Sequence, residues 1–595
     1  MMSKIAGIYG LPTERATNLL RKMLDQNNEL YEFNFTEKSI AMGMNCCKKV
    51  ERQFCVNGKL LLLMFEGFIA NRGELIKSFN LNNQSVTDEE LIVIAYLRHN
   101  ESFIKYIFGN FSITLYDHHS NIIILARDRV GMRSLFYRYK DGVLTWASNI
   151  NQILKVNNDS KINNNFLKEF LVSLPEANHE TAYNDIYRVE AGQIVILKNS
   201  TLSKRFYYTF DFKIIEYSKE SEYIEHFLEL LSRSVNASIS SDEKIGFSLS
   251  GGLDSSSIYT IAEDLLNKGK VAKKNFVPAF LHLNDRYGNE KNYIEMIQEK
   301  YGRKIIVIQA DDNWFFKDSI EFTKNLDEPY PLFNVSFASA IPQYLKEKNI
   351  NVVLSGAKGD ELFFGNLNYL SRLFLKGRFI NYSKDLKEWN RKENVPFFKL
   401  IYKHSLKPIV SNSYKKSRQP NWIKLDSNRK LLDIENMKFN YEDIINYYTF
   451  IIKRAGHEWS NQYLYFKNNI DYRAPFSDIK LMEYMAGLPI NLKIRSGYRK
   501  YLLQQSMKNI LPEELRKRVD KGAHTNLFVK GFKNEWINIQ PYIKFEVLGD
   551  LGWIEPRLLK IQLDKYYLGS FDNFIEFPSI MRALALEIWL KGKLI

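Results

Sequence analysis

The 595-residue chain predicts a mixed α/β protein in two parts: an α+β domain rich in antiparallel strands over residues 1–210, then a doubly wound parallel-sheet domain with a helical C-terminal part over 211–595. Three observations predict it. The length suits two domains or three. Short apolar runs punctuated by turn residues fill the first third, whereas from Tyr217 onward helix-period and strand-like segments alternate, as in strands joined by crossover helices. The composition, 45% hydrophobic and 25% charged, is that of an ordinary globular protein.

In the first domain the strand candidates are 59–70, 111–116, 121–125 and 193–197. One helix interrupts them. Thr87 can cap it, Glu90 three residues on completes a capping box, and Leu91, Ile94, Ala95 and Leu97 give it an apolar face. In the second domain 222–238, 255–266 and 293–300 are expected as helices, and 245–250, 276–283, 305–309 and 352–354 as strands. Residues 385–430, dense in Lys and Arg and broken by Pro, are expected to form a surface elaboration, and helices resume at Tyr441.

Lys and Arg number 83 against 68 Asp and Glu, an excess of 15 positive charges. That excess suits an acidic partner, nucleotide phosphates or a solvated Lys-rich surface. The three cysteines, Cys46, Cys47 and Cys55, fall in one short stretch without the partner spacing of a zinc site, which excludes a disulfide framework and suits a reducing compartment. There is no apolar run long enough to span a bilayer and no secretory-type N-terminus, so a cytoplasmic protein without membrane attachment is expected.

The sharpest motif is Ser250-Gly251-Gly252-Leu253-Asp254-Ser255-Ser256, placed between an apolar strand and an amphipathic helix. Paired glycines let backbone N–H groups approach a ligand closely, and Ser250, Ser255 and Ser256 add hydroxyls at a helix N-terminus, together an anion cradle. Asp254 would repel a bare phosphate unless a divalent cation sat between them. The combination points to a Mg²⁺-bound nucleotide. A Walker loop would need a Lys before its Ser/Thr, which is missing here.

This loop resembles the pyrophosphate-binding loop of N-type ATP pyrophosphatases, which cleave ATP to AMP and pyrophosphate while adenylating an acceptor. A second cluster, Leu354-Ser355-Gly356-Ala357-Lys358-Gly359-Asp360-Glu361-Leu362-Phe363-Phe364-Gly365, is similar to the LSGxGxDExFxGY segment of the asparagine synthetase superfamily. Lys358 and Phe364 stand where that segment usually has small residues. The resemblance makes Asp360 the second Mg²⁺ carboxylate beside Asp254, and places Ser355 and Gly356 in the nucleotide turn. In the first domain, Phe65 through Leu75 resembles the NGEIYNxxEL stretch of the superfamily's glutaminase domain, and Ala126 through Tyr137 its ARDxxGxxPLYY. An Ntn-glutaminase-like sandwich followed by an ATP-pyrophosphatase domain is implied.

The glutaminase chemistry of such domains needs an N-terminal cysteine as nucleophile. Aligning Ile5-Ala6-Gly7-Ile8 with the family's start puts Ser3 or Met2 in its place, and Gly67 is taken to stand where the family has an oxyanion-stabilising Asn. The first domain is therefore expected to be catalytically inactive, so the attacking amine must come from free ammonia, from the same substrate or from another molecule.

Toward the C-terminus, Lys500 falls on the catalytic lysine of the related β-lactam synthetases, where an ammonium stabilises charge on the tetrahedral intermediate and departing AMP. Lys521, in Arg518-Val519-Asp520-Lys521-Gly522, matches a phosphate-binding lysine, and Glu458 is placed to orient or deprotonate the amine. The segment from Ala455 to Glu458, with the later NNIDYRAPFSD, resembles lasso peptide cyclases. That implies ATP- and Mg²⁺-dependent macrolactam closure between the N-terminal amine of a precursor peptide and an Asp or Glu side chain. A leader-peptide protease and a leader-recognition protein are the expected partners, with no nucleic acid. Ammonia-dependent asparagine synthesis and a β-lactam-synthetase-like intramolecular ligation are the alternatives. Lys415, Lys416 and Arg418 are candidate contacts for the peptide or its protease, with surface solvation an equal alternative.

Overall fold

A computed structural model describes residues 4–594 except 25–30, 47–50, 83–84, 173–178, 240–243, 272–274, 284–289, 394–395, 411–413, 417–418, 426–429, 433–436, 456–463, 519–524, 569–575 and the single positions 38, 57, 332 and 438. Residues 4–206 carry two six-stranded antiparallel sheets. One runs, across its width, Tyr187–Arg188, Phe136–Lys140, Val143–Ala147, Lys4–Tyr9, Ile40–Cys46, Tyr31–Glu37; the other runs Thr201–Phe206, Gln193–Lys198, Ile122–Arg127, Gly109–Asp117, Lys59–Ile69, Gln53–Val56. Side-chain alternation along a strand explains the layering. In Lys59–Ile69, Leu62 and Met64 join Trp146 and Leu125 between the sheets, while Leu61, Leu63 and Phe65 pack beneath the helix Asp88–His99 and its neighbours. Helices Thr13–Leu24 and Asn164–Val172 cover the outer face of the first sheet, completing a four-layer sandwich. The expected capping box is present: Glu90 N–H donates to Thr87 Oγ1 at 3.2 Å, and Thr87 N–H to Glu90 Oε2 at 2.5 Å. Ile94 and Leu97 are half-buried, whereas Ile92 and Val93, absent from the expected face, are buried because the helix packs on more than one side.

The second domain holds a five-stranded, all-parallel sheet ordered Ile306–Gln309, Asn275–His282, Lys244–Leu249, Val352–Ser355, Asp471–Arg473. Helices Glu220–Ser238, Leu253–Asn267 and Glu290–Tyr301 bury Phe227, Leu231, Ile258 and Ile297 on one face, and Val335–Glu347 buries Ile341 and Leu345 on the other. In chain order the strands lie 3-2-1-4-5, so the order reverses between Lys244–Leu249 and Val352–Ser355. Ligands of open parallel sheets bind beyond the carboxyl ends of the strands at such a reversal. Both glycine turns leave the sheet there.

The stretch expected as a surface elaboration is in part a packed subdomain. Leu386 and Trp389 of Phe379–Glu393, with Leu400, form a small core against Tyr369, Leu373 and Ile494, and Trp422 is fully buried in the C-terminal helical core. Trp and Leu anchors, too widely spaced for a periodicity argument, hold this basic sequence down.

Two polar clusters are among the contacts that join the domains. Arg188 pairs with Glu328, both buried, and the Asp327 carboxylate accepts the Ile150 N–H at 2.8 Å. Arg133 pairs with Asp471 on the edge strand of the parallel sheet, and Arg473 reaches the same carboxylate at 2.6 Å. Glu66 lies beside this cluster, buried. Desolvation pushes its carboxyl up to about 8, opposed by Arg133 and assisted by Asp471. Between the ordinary value of 4.5 and about 8 the unfolded chain is ionised at Glu66 and the folded one is not. Folding then takes up a proton, so this group makes stability fall as pH rises through that window, by at most about 1.4 kcal/mol per pH unit. Melting temperatures of wild type and Glu66→Gln across the window should converge at its acid end and separate in favour of Gln at its basic end. Parallel curves would contradict the assignment.

Gly67 corrects the motif register. Its φ is +124°, and a Cβ there would lie 1.9 Å from the Asn110 carbonyl oxygen, so only glycine fits. It answers to the glycine of NGEIYN, and the Asn position of that motif falls on Glu66, one residue earlier than expected.

Candidate active site

The strand Lys244–Leu249 delivers Ser250, Gly251 and Gly252 directly into the helix Leu253–Asn267, for which Gly252 is the N-cap residue. Gly251 turns the chain with φ +68°. Ser255 Oγ accepts the Ser250 N–H at 3.1 Å and lies 3.1 Å from Ser250 Oγ, so these two hydroxyls brace the turn against itself. Ser256, expected among the phosphate ligands, is instead fully buried, and its N–H donates to the Gly252 carbonyl at 3.2 Å. It supports the turn from beneath, because a residue four places past the N-cap Gly252 points into the helix's packed side.

The neighbouring strand Val352–Ser355 delivers the second turn in register, Ser355 opposite Ser248. Ser355 Oγ donates to Tyr472 Oη at 2.6 Å and accepts the Ala357 N–H at 3.2 Å. The two turns touch. A Cβ on Gly356 would lie 2.3 Å from the Ser255 nitrogen, and one on Gly359 would lie 2.5 Å from the Asp254 carboxyl carbon. The absence of side chains at these two positions therefore lets the Asp254 carboxylate settle beside the short helix Gly359–Leu362, which carries Asp360.

Between the carboxylates stands Lys500. Its ammonium pairs with Asp254 and lies 2.8 Å from Asp360 Oδ1. Lys500 immediately precedes the helix Tyr501–Ser506, anchored by fully buried Leu502, Leu503 and Met507. Burial lowers the affinity of Lys500 for its proton, but the charges of Asp254 and Asp360 outweigh it and hold the group above the usual lysine value. It is a cation at every pH at which the enzyme would work.

The sequence reading missed Arg518 and Tyr472 as parts of this site. Arg518 Nη1 donates to the Gly251 carbonyl at 2.9 Å and Nη2 lies 3.7 Å from Glu290. It ties the C-terminal region onto the first turn, and its place three residues before Lys521 in the Arg518–Gly522 segment was the available signal. Tyr472 stands in the strand Asp471–Arg473, inside the NNIDYRAPFSD segment, a likeness that marked the segment but not this residue's contact with the second turn. Lys521 and Glu458, the remaining predicted catalytic residues, lie outside the described residues, as does Arg418. Of Lys415 and Lys416 only the backbone is described, in the strand Tyr414–Lys416. The helix Tyr441–Ala455 leading toward Glu458 is pinned to the second turn: Tyr447 Oη donates to the Glu361 carbonyl at 3.0 Å and Tyr448 Oη to that of Leu362 at 3.1 Å.

No group of three or more His, Cys, Asp or Glu that could hold a metal occurs among the described residues. The pair Asp254 and Asp360 nonetheless fits Mg²⁺ arriving with a nucleotide. This ion is ordinarily held by one or two carboxylates, its remaining positions filled by phosphate oxygens and water. That a cation, Lys500, already bridges the two carboxylates shows the gap between them to be suited to positive charge.

Paired acidic glycine turns at the reversal point of a parallel sheet, behind a two-sheet sandwich, define a two-domain nucleotide-using enzyme. The chain belongs to the asparagine synthase family: the profile of that family matches residues 226–591, and a glutamine amidotransferase domain profile matches 46–208. It is an ATP-dependent carbon–nitrogen ligase of the asparagine synthetase kind. Two relatives from Bacillus subtilis (strain 168) are similar over most of the chain. Asparagine synthetase [glutamine-hydrolyzing] 1 is 23% identical over 80% of this chain and 78% of its own length, and asparagine synthetase [glutamine-hydrolyzing] 3 is 21% identical over 90% and 88%. Amidase chyE of Penicillium rubens is 22% identical over 75% of this chain and 73% of its own. No described helix is long and apolar enough to cross a membrane.

Proposed function

We propose that this chain adenylates an Asp or Glu side chain of a short precursor peptide and lets the peptide's own N-terminal amine displace AMP, closing a lasso-type macrolactam. The observation that carries the adenylation chemistry is the Asp254–Lys500–Asp360 bridge between the two glycine turns. Asp254 and Asp360 would hold Mg²⁺, whose contribution is to neutralise charge on the phosphates. The Ser250–Gly252 turn cradles pyrophosphate with backbone N–H groups. Lys500 offsets negative charge on the carbonyl oxygen and the departing AMP as the amine attacks. Lys521 is assigned to phosphate and Glu458 to orienting the amine. Holding both ends of one peptide in a single site supplies the proximity that ring closure requires.

Two features support an amine from the substrate itself. The segments Ala455 to Glu458 and Asn468 to Asp478 resemble those of the cyclases, and a carboxyl group, Glu66, stands in the first domain where the glutaminase motif has an amide. That domain is proposed to be a scaffold without glutaminase activity, with a leader-peptide protease and a leader-recognition protein as delivery partners. The second reading is asparagine formation from aspartate and ammonia; the names of the Bacillus relatives favour asparagine as product, with glutamine as their nitrogen source.

One experiment separates them. Purified protein is given ATP and Mg²⁺ with either a linear, leader-free precursor peptide that carries a free N-terminal amine and an Asp or Glu side chain, or aspartate and ammonium. A peptide product lighter by one water and resistant to carboxypeptidase supports cyclisation. Asparagine in the second arm and unchanged peptide in the first would favour the alternative.

A further inference from the structure

Away from the carboxylate pair, a cavity of about 330 Å³ lies between the linker, the residues 207–219 that join the strand Thr201–Phe206 to the helix Glu220–Ser238, and the helix Tyr441–Ala455. None of Asp254, Asp360 and Lys500 lines it. That volume is within the range of small-molecule sites. Its walls are mainly apolar, formed by Phe212 and Ile215 of the linker, Leu373, Ile444 and Leu488. The charged groups around it are unbalanced: Arg372, Lys376, Arg378 and Lys493 against Glu216.

Lys493 is the feature without a structural explanation. It is only 4% exposed, and among the described residues no carboxylate pairs with it. Its ammonium donates to Tyr448 Oη at 3.5 Å and stands 5.4 Å from the centre of that ring. Arg372, by contrast, donates to the Phe439 carbonyl, and although burial lowers its hold on its proton, the charge of Asp443 opposes that. Tyr369 and Tyr441 are the other titratable groups on the walls. Burying an ammonium without a counter-ion is costly, and the cost here shows as desolvation drawing Lys493 down to about 7. Among the described residues only the Tyr448 hydroxyl and ring offset it, and no negative charge does.

We propose that this cavity binds a small organic carboxylate with an apolar body, its carboxylate on Lys493 and its body along Phe212, Ile215, Ile444 and Leu488. The site stands independently of the cyclisation reading. Tyr448, which neighbours Lys493, also donates to the Leu362 carbonyl two residues past Asp360, so the two sites share one helix wall.

Octanoate and its neutral counterpart octanol are the probes, titrated calorimetrically into full-length protein. Octanoate is expected to saturate one site at about pH 6.5 and to bind at least tenfold more weakly at about pH 8.5, because above neutrality Lys493 must first take up a proton. Lys493→Met should weaken it tenfold or more, Ile444→Trp, which fills the space from the opposite wall, should abolish it, and Asp254→Asn should leave it unchanged. Octanol should not saturate. The proposal is overturned if wild type shows no saturable octanoate binding, if octanol binds as tightly, or if both cavity variants bind octanoate as wild type does.

Discussion

Asp254→Asn lowers ATP-dependent pyrophosphate release by a factor on the order of 10³ and leaves the fold intact. The amide keeps the carboxylate's shape over Gly359, so the contact between the turns survives. What is lost is one negative charge of the two that face the same cation. Removing one group that holds or stabilises charge at a reacting centre costs about 10²–10³ in rate, and weakened Mg²⁺ binding adds to it. Stability changes little, because Asp254 is about one-fifth exposed and partly exposed ion pairs contribute on the order of 1 kcal/mol or less. Lys500→Met separates binding from chemistry: nucleotide should still bind with Mg²⁺, since both carboxylates remain, while amide formation falls by a similar factor. Pyrophosphate release and calorimetric nucleotide binding on the two variants check this. An Asp254→Asn enzyme with more than a tenth of wild-type activity would contradict the assignment.

Gly356→Ala has the second large effect, by a different route. The new methyl would stand 2.3 Å from the Ser255 nitrogen and 2.7 Å from the Asp254 carbonyl carbon, both backbone atoms that no side-chain rotation can move aside. The turns must part, which costs about 1–3 kcal/mol by the measure of overpacked cores. Parting them also pulls Asp254 away from Asp360, so activity should fall by at least about 10²-fold, as misplacement of reacting groups by an ångström does. Gly73→Ala is the control, because nothing lies within 4 Å of its Cβ position. Melting temperature and pyrophosphate release should both drop for Gly356→Ala and neither for Gly73→Ala. Wild-type behaviour of Gly356→Ala would mean that the two turns are not in contact.

Much of this site was legible because each turn is local. Ser250 through Ser256 and Ser355 through Asp360 are continuous segments whose glycines, hydroxyls and carboxylates announce their chemistry. That the two turns meet follows from the strand order, which the alternation of strands and helices implies only in outline; adjacency of Lys244–Leu249 and Val352–Ser355 had to be seen. Lys500 was reachable through family resemblance alone, since a lysine before an amphipathic helix is ordinarily solvated. Ser256 was misassigned because a motif shows which residues occur and not which side of the helix they face. Tyr472 and Arg518 act through single long-range hydrogen bonds to the turns, and a contact of that kind leaves no periodic trace. In the first domain, Gly67 and Glu66 were exchanged in register, and only the collision a Cβ would make with Asn110 settles which is the glycine. The packed subdomain near Trp389 escaped notice because its few anchors are diluted among Lys and Arg.

The most direct test uses ATP labelled in its α-phosphate, incubated with the purified enzyme, Mg²⁺ and a carboxylate-plus-amine substrate that yields amide. If the paired turns serve adenylation, labelled AMP accumulates one for one with amide and with pyrophosphate, and all three vanish together in Asp254→Asn. Labelled ADP with inorganic phosphate in their place would mean that the acid is activated as an acyl phosphate, and would contradict the role assigned to Asp254, Asp360 and Lys500.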